Sequence, residues 1–239
     1  MDLERISIVT MNAKSSASHS GTVDILTMLY FKIMNIDPSN PTLKSRDKFI
    51  LSKGHGSSAL AERGYFSKNL LDGGQLPGHL DAVPGVEVSS GSLGHGLSIG
   101  VGMAIANKID QLDNHVYVMC GDGELNEGSV WEALLVAYNL DLPNLTVIYD
   151  DNRSHSRGLQ ISNPAEKFSA FGCEVAEVHG HDIEALKAAL QHRAERTQII
   201  IARTCKGYGC QTFIDSHYEW HRRSPSDVEY QKLLEELDA

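Results

Sequence analysis

The chain has 239 residues, 41% of them hydrophobic and 22% charged, with 31 acidic against 21 basic side chains for a formal net charge of −10. This length is ample for a core, and 7% aromatic residues with 21 glycines exclude collagen-like, disordered and disulfide-scaffold chains. The acidic balance argues against nucleic acid or an anionic membrane as partner, and no apolar run approaches the roughly 18 residues of a membrane span. The opening Met1-Asp2-Leu3-Glu4-Arg5 lacks the basic-then-apolar layout of a signal peptide, so one cytoplasmic domain over residues 1–239 is expected. Cys120, Cys173, Cys205 and Cys210 contain no CxxC pair and read as reduced structural thiols.

In chain order, residues 22–34 place Val23, Leu26, Leu29, Tyr30 and Ile33 on one helical stripe, and 47–51 follow as a short strand. Helical patterns recur over 58–66, 97–111, 127–140 and 183–196. Between them, the β-branched, apolar runs 115–120 (HVYVMC), 145–150 (LTVIYD), 174–178 and 198–203 (QIIIAR) are too short for helices and read as buried parallel strands. The alternation predicts an α/β domain, a parallel sheet with helices on both faces, whose ligands bind beyond the carboxyl ends of the strands. Ser226 and Glu229 have capping-box spacing for a final helix. Asp182 in His179-Gly180-His181-Asp182 reads as a helix cap, and Gly100 and Gly102 as close helix packing rather than a dinucleotide motif. His115, His155, His179, His181 and His192 read as solvated surface side chains.

Fifteen of the 21 glycines lie between Gly54 and Gly128, where backbone must turn sharply or approach a ligand closely. Within this stretch the strand HVYVMC runs into Gly121-Asp122-Gly123-Glu124, and the next strand ends in Asp151-Asn152. Asp122 and Asn152 are 152 − 122 = 30 residues apart, one strand-helix-strand unit, so adjacent parallel strands bring them together. A carboxylate and an amide oxygen, with a nearby backbone carbonyl, are hard ligands suited to Mg²⁺ or Ca²⁺. The flanking glycines and the following helix N-terminus turn amides toward phosphate oxygens. These residues point to a metal-bound diphosphate.

Gly121-Asp122-Gly123, 28 intervening residues and Asn152 resemble the thiamine diphosphate fingerprint, and GDGELNEGSVWEA with TVIYDDN resembles the transketolases. Ser18-His19-Ser20-Gly21, Leu51-Ser52-Lys53-Gly54-His55, Pro77-Gly78-His79, Gly91-Ser92-Leu93-Gly94, Lys206-Gly207-Tyr208-Gly209 and Glu219-Trp220-His221 follow that family's order over about residues 1–225. The resemblance implies that Asp122, Asn152 and the carbonyl of Ser154 ligate the metal. Gly123, His55 and His221 would contact the diphosphate, with Gly121 and Glu124 in the same binding segment. Gly91 and Leu93 would lie against the cofactor rings. His19, His55 and His79 would line the substrate channel with His221, moving or binding hydroxyl protons, as imidazole can near neutral pH. Glu127 matches an acid that links paired active sites across subunits. Two departures stand out: Ser18 and Ser20 flank His19 where glycine and proline are usual, and His95 stands where glutamine is usual.

Members of this family continue through a pyrimidine-binding and a C-terminal domain, and the second domain supplies a glutamate that acts on the cofactor. The resemblance therefore implies the diphosphate-binding half of a split transketolase, completed by a partner chain, with two copies of each. The implied reaction is ketol transfer from a ketose to an aldose, with sugars or sugar phosphates as substrates. A non-catalytic partner subunit is the other class. A decarboxylating relative, such as deoxyxylulose-phosphate synthase or a ketoacid dehydrogenase subunit, is a neighbour within the enzyme class. The histidines at 19, 55 and 79 with both metal ligands favour ketol transfer.

Overall fold

The structure is a computed structural model that describes residues 22–37, 39–54, 82, 86–155, 157–221 and 225–237. The first stripe folds as helix α1 (Val23–Met28), but its continuation Leu29–Ile33 is a π turn rather than the end of one helix. There the Met34 N–H donates to the Leu29 carbonyl at 2.8 Å, closing a wider ring than the α-helical one. The described chain then gives β1 (Lys48–Leu51), α2 (His95–Ile109), β2 (Val116–Gly121), α3 (Gly128–Leu140) and β3 (Leu145–Asp151). It continues with α4 (Pro164–Ala170), β4 (Glu174–His179), α5 (Ile183–Gln191), β5 (Gln198–Arg203), α6 (Gln211–Asp215) and α7 (Asp227–Leu237). The helix expected over 58–66 lies outside the described residues.

The five strands form one sheet in the order β1-β2-β3-β5-β4, every pair parallel, with Val116 opposite Leu145 and Thr146 opposite Gln198. Side chains alternate across it. Phe49, Leu51, Tyr117, Met119, Ile148 and Ile200 pack with α1 and α5 on one face. Ile50, Val116, Val118, Val147, Ile199 and Ile201 pack with α2, α3 and Phe168 of α4 on the other. Right-handed crossovers explain the division. The chain steps in one direction through β1, β2 and β3 to β4, which keeps α2, α3 and α4 on one face. It steps back from β4 to β5, which puts α5 on the opposite face.

Several ends differ from the sequence expectation for local reasons. The helix expected over 183–196 stops at Gln191, because His192 turns extended (φ −63°, ψ 130°) and bonds Glu174 at 2.5 Å, while the Glu195 N–H donates to Glu174 at 3.3 Å. Those residues thus tie to the start of β4. Asp182 caps α5 as expected, accepting from the Ala185 N–H at 3.0 Å. The capping box also forms, with Glu229 accepting from the Ser226 N–H at 2.9 Å. A Cβ at Gly100 would collide with Val118, which is the close packing expected there, but Gly102 faces open space. Helices α4 and α6, at seven and five residues, are too short to carry a clear periodic signal. All four cysteines are free thiols, and burial pushes Cys173 and Cys210 up to about 11, as suits inert side chains.

His115 and His181 are not the solvated side chains expected. Arginine can only donate, so Arg193 Nη1, 3.3 Å from His115 Nδ1, makes that nitrogen the acceptor. His115 Nε2 then carries the proton and donates to Thr146 Oγ1 at 2.8 Å, and that hydroxyl donates onward to Gln198 at 3.0 Å. The chain of bonds staples β2, β3 and β5 at the end of the sheet opposite the strand carboxyl ends. Burial, then the Arg193 charge, push His115 down from 6.5 to about 4. Between pH 6.5 and about 4 the unfolded chain binds a proton that the folded chain does not, so stability falls as pH drops through that window. The contribution is on the order of 2 kcal/mol after allowance for partial solvent screening. His115→Gln should flatten the pH dependence of the melting temperature between pH 6.5 and 4; an unchanged profile would assign the acid sensitivity to other groups.

Candidate active site at the strand carboxyl ends

Strands β2 and β3 are neighbours with Gly121 opposite Asp150, so the next residues of each strand emerge on the same rim. Asp122 starts the 3₁₀ turn Gly123–Asn126 and accepts from the Gly123 N–H at 2.9 Å. Its carboxylate also accepts from Ser154 Oγ at 3.0 Å and from the His155 N–H at 2.7 Å. Asn152 Oδ1 accepts from the Ser154 N–H at 2.9 Å. Ser154 therefore touches both the Asp122 carboxylate and the Asn152 amide oxygen, and the three residues expected to hold a metal converge. Between them Arg153 takes a left-handed conformation (φ 53°), which a non-glycine residue adopts only when its surroundings enforce it.

The Asp122 carboxylate and the Asn152 amide oxygen are hard oxygen donors of the kind that suits Mg²⁺ or Ca²⁺, which would leave positions for water and phosphate oxygens. Among the described residues no cluster of three or more His, Cys, Asp or Glu side chains competes for a metal. Two clefts flank the 152–155 loop. One, of about 470 Å³, is lined by Asp122, Tyr149, Asp151, Arg153 and Arg203. The other, of about 430 Å³, is lined by Asn152, Arg153, His181, Arg203, Lys206 and Tyr208.

Glu124 departs from the expectation of a ligand-facing group. It is 1% exposed, and its carboxylate accepts from the Ser52 hydroxyl, from the Gly94 N–H at 2.7 Å and from the Gly121 N–H at 3.2 Å. One buried side chain thus joins the end of β1, the 91–94 loop and the β2 rim. Gly94 sits at φ +82° against Glu127 and Ser129, so the loop must turn there without a Cβ. The pinned loop leaves Leu93 40% exposed, an apolar side chain presented on the rim. Glu127 is exposed at the start of α3 and makes no cap bond to that helix.

The structure brings together Gly121, Asp122, Gly123, Asn152 and Ser154, and Glu124 ties the loop that carries Gly91 and Leu93 to the same rim through the Gly94 and Gly121 N–H groups. His19, His55 and His79 lie outside the described residues. His221 ends the short turn Glu219–His221, which Trp220 anchors by packing on Phe213 with ring centres 5.1 Å apart.

Two rim groups have roles that the sequence did not assign, Lys206 standing there only within the Lys206-Gly207-Tyr208-Gly209 motif and His181 reading as solvated. Lys206 is 6% exposed, and burial with the nearby Lys53 charge pushes it down to about 8 against the pull of Asp122 and Asp150. His181 has a side chain 2% exposed. Its Nε2 accepts from the Cys205 N–H at 2.8 Å, so its Nδ1 carries the proton and donates to Asp24 at 2.8 Å. The ring stacks on Tyr208 at 3.6 Å. His181 therefore ties the loop that carries Lys206 to α1. The sequence signal available was the polar His-Gly-His-Asp run at a strand carboxyl end.

Fold and site together define an all-parallel α/β domain that gathers a carboxylate, an amide oxygen and glycine-flanked amides on its carboxyl rim. Comparison with known proteins makes this specific. The family model "Transketolase, thiamine diphosphate binding domain" matches residues 5–224, and the chain belongs to that family of transferases. It is 41% identical to an apulose-4-phosphate transketolase subunit of Actinobacillus succinogenes, covering 98% of this chain and 92% of that one. It is 37% identical to a 6-deoxy-6-sulfo-D-fructose transketolase subunit of Clostridium sp., over 90% of this chain and 85% of that one. The transketolase of Campylobacter jejuni superposes with a TM-score of 0.84 at 29% identity, covering 99% of this chain but 43% of the other. The chain thus spans most of the split subunits and less than half of that solved transketolase. No helix among the described residues is long and apolar enough to cross a membrane.

Proposed function

We propose that this chain is the diphosphate-binding subunit of a split transketolase, moving a two-carbon ketol unit from a ketose donor to an aldose acceptor. The observation that carries this reading is the convergence of Asp122, Asn152 and Ser154 on one rim, in a chain whose relatives are named as subunits of transketolases. When bound, thiamine diphosphate supplies the reactive carbon that accepts and releases the two-carbon unit. This chain's part is to hold and orient that group. Asp122, the Asn152 amide oxygen and the Ser154 carbonyl hold Mg²⁺, with Ca²⁺ as a substitute. Gly121, Gly123, His55 and His221 hold the diphosphate, and Lys206 adds positive charge at the same rim. Gly91 and Leu93 support the cofactor rings, with Glu124 bracing their loop. His19, His55, His79 and His221 bind or move protons at substrate hydroxyls, and Glu127 reaches toward a paired site.

A partner chain carrying the pyrimidine-binding and C-terminal domains completes the site, with two copies of each subunit in a cytoplasmic hetero-oligomer. The names of the two split relatives point to ketoses that bear a phosphate or a sulfo group, and an anionic ketose is the donor class proposed here. Reconstitution tests the reading. This chain, its co-purifying partner, Mg²⁺ and thiamine diphosphate together should transfer a ketol unit from such a donor, and neither chain alone should do so. Transfer by this chain alone would contradict the split-enzyme reading.

A further inference from the structure

Asp150 holds no ligand in the reading above, yet it is fully buried and lies two residues before Asn152 on β3. Strand periodicity puts the two side chains on the same face. The Asp150 carboxylate receives three donors from three different strand ends: the Lys53 ammonium beyond β1, the Thr204 hydroxyl beyond β5, and Asn152 Nδ2 at 2.8 Å. The Lys53 and Asp150 side chains are 3% and 0% exposed, so each charge has the other as its main compensation.

We infer that Asp150 is a positioning residue that makes Asn152 an oxygen ligand. This rests on the cofactor reading above. The oxygen and nitrogen ends of an asparagine amide have nearly the same shape, so packing alone does not choose between them. An ionised carboxylate can only accept. It therefore takes the Asn152 amino group and turns Oδ1 the other way, where that oxygen accepts from the Ser154 N–H at 2.9 Å beside Asp122. The flipped amide would set oxygen against carboxylate and amino group against N–H, losing both bonds. The Lys53 ammonium against one oxygen and the Thr204 hydroxyl on the other leave the Asp150 carboxylate only acceptor positions toward Asn152. A metal cation is bound by the amide oxygen and repelled by the amino group. The Lys53, Asp150 and Thr204 set thus decides whether Asn152 can be a ligand at all.

The test uses the full chain with its partner, thiamine diphosphate and Mg²⁺. The double variant Lys53→Met/Asp150→Leu removes both buried charges together, so no orphan charge is left. It should raise the half-saturating Mg²⁺ concentration by about tenfold or more, as loss of an outer-sphere partner does, while thiamine diphosphate affinity at saturating Mg²⁺ stays near wild type. A merely structural defect would instead weaken cofactor binding at every Mg²⁺ concentration, and that result would overturn the assignment. So would a wild-type Mg²⁺ requirement. Adding Asn152→Asp to the double variant, which supplies an oxygen in either orientation, should restore the requirement; failure to restore it would count against the orienting role. If the double variant does not fold, Asp150→Asn is measured the same way with the same expected direction. An NMR measurement on the unliganded wild-type chain needs neither variant nor cofactor. The Asn152 side-chain amide protons should exchange slowly, and exchange at the rate of an exposed asparagine would overturn the inference. If wild type binds no thiamine diphosphate, the functional reading fails while this exchange measurement still judges the orientation.

Discussion

Asp122→Ala is expected to raise the dissociation constant for thiamine diphosphate in the presence of Mg²⁺ by at least about 100-fold, a loss of about 3 kcal/mol. Two effects combine. The substitution removes the only carboxylate of the proposed metal set, the group with the strongest attraction for a divalent cation. It also removes the acceptor of three donors, Gly123 N–H, Ser154 Oγ and His155 N–H, which set the 121–123 turn against the 152–155 loop. That loop contains Arg153 in a left-handed conformation and depends on these anchors to keep it. Calorimetric titration of cofactor with and without Mg²⁺ reads the effect. Mg²⁺-dependent binding that survives in the variant at wild-type strength would mean that the metal is held elsewhere.

Glu124→Ala should have the largest effect on the unliganded fold, about 3 kcal/mol of stability. The Gly94 and Gly121 N–H groups and the Ser52 hydroxyl all lose a buried carboxylate acceptor, and at a net worth of about 1 kcal/mol per hydrogen bond, with water entering the space left by the shortened side chain, the three together give about 3 kcal/mol. For a chain of this size that corresponds to a fall in melting temperature of roughly 6–12 °C. Glu124→Gln, which keeps an acceptor and the side-chain shape, should lie between alanine and wild type. Thermal unfolding of the two variants decides this, and an alanine variant that melts within a degree of wild type would remove Glu124 from the brace. Because the 91–94 loop hangs on this carboxylate, the same variant should weaken cofactor binding even at temperatures where the protein remains folded.

The contrast between Asp122 and Glu124 indicates how much of this site was legible in the sequence. Asp122 and Asn152 could be placed together because they end consecutive buried strands one crossover apart, and short β-branched, apolar runs mark such strands plainly. Glu124 sits in the same motif, but its partners Ser52 and Gly94 come from segments 72 and 30 residues away, and nothing local indicates whether a carboxylate faces in or out. His181 and Lys206 were opaque for the same reason. The exposure of a polar side chain is set by which strand lies beside it, and the placement of β5 between β3 and β4 is a long-range outcome that no local pattern encodes. The π turn at Leu29–Ile33 keeps the same apolar stripe as an α-helix, so periodicity does not separate the two.

The electrostatic expectation also changes in kind. A net charge of −10 argues against nucleic acid or an anionic membrane as partner, and the residues legible in the sequence leave a metal and backbone amides as the positive groups that would meet a diphosphate. The rim nevertheless carries two buried lysines, Lys53 paired with Asp150 and Lys206 pushed down to about 8 beside Asp122 and Asp150. Local placement rather than composition therefore sets the field that a diphosphate would meet.

In the proposed function, the Asp122, Asn152 and Ser154 rim holds thiamine diphosphate through a divalent metal. Calorimetric titration of thiamine diphosphate into the complex of this chain with its partner, once with Mg²⁺ and once with a chelator, tests it most directly. Saturable binding at one site per copy of this chain with Mg²⁺, and its loss with the chelator, is the predicted result; no binding in the presence of both partner and Mg²⁺ would contradict it.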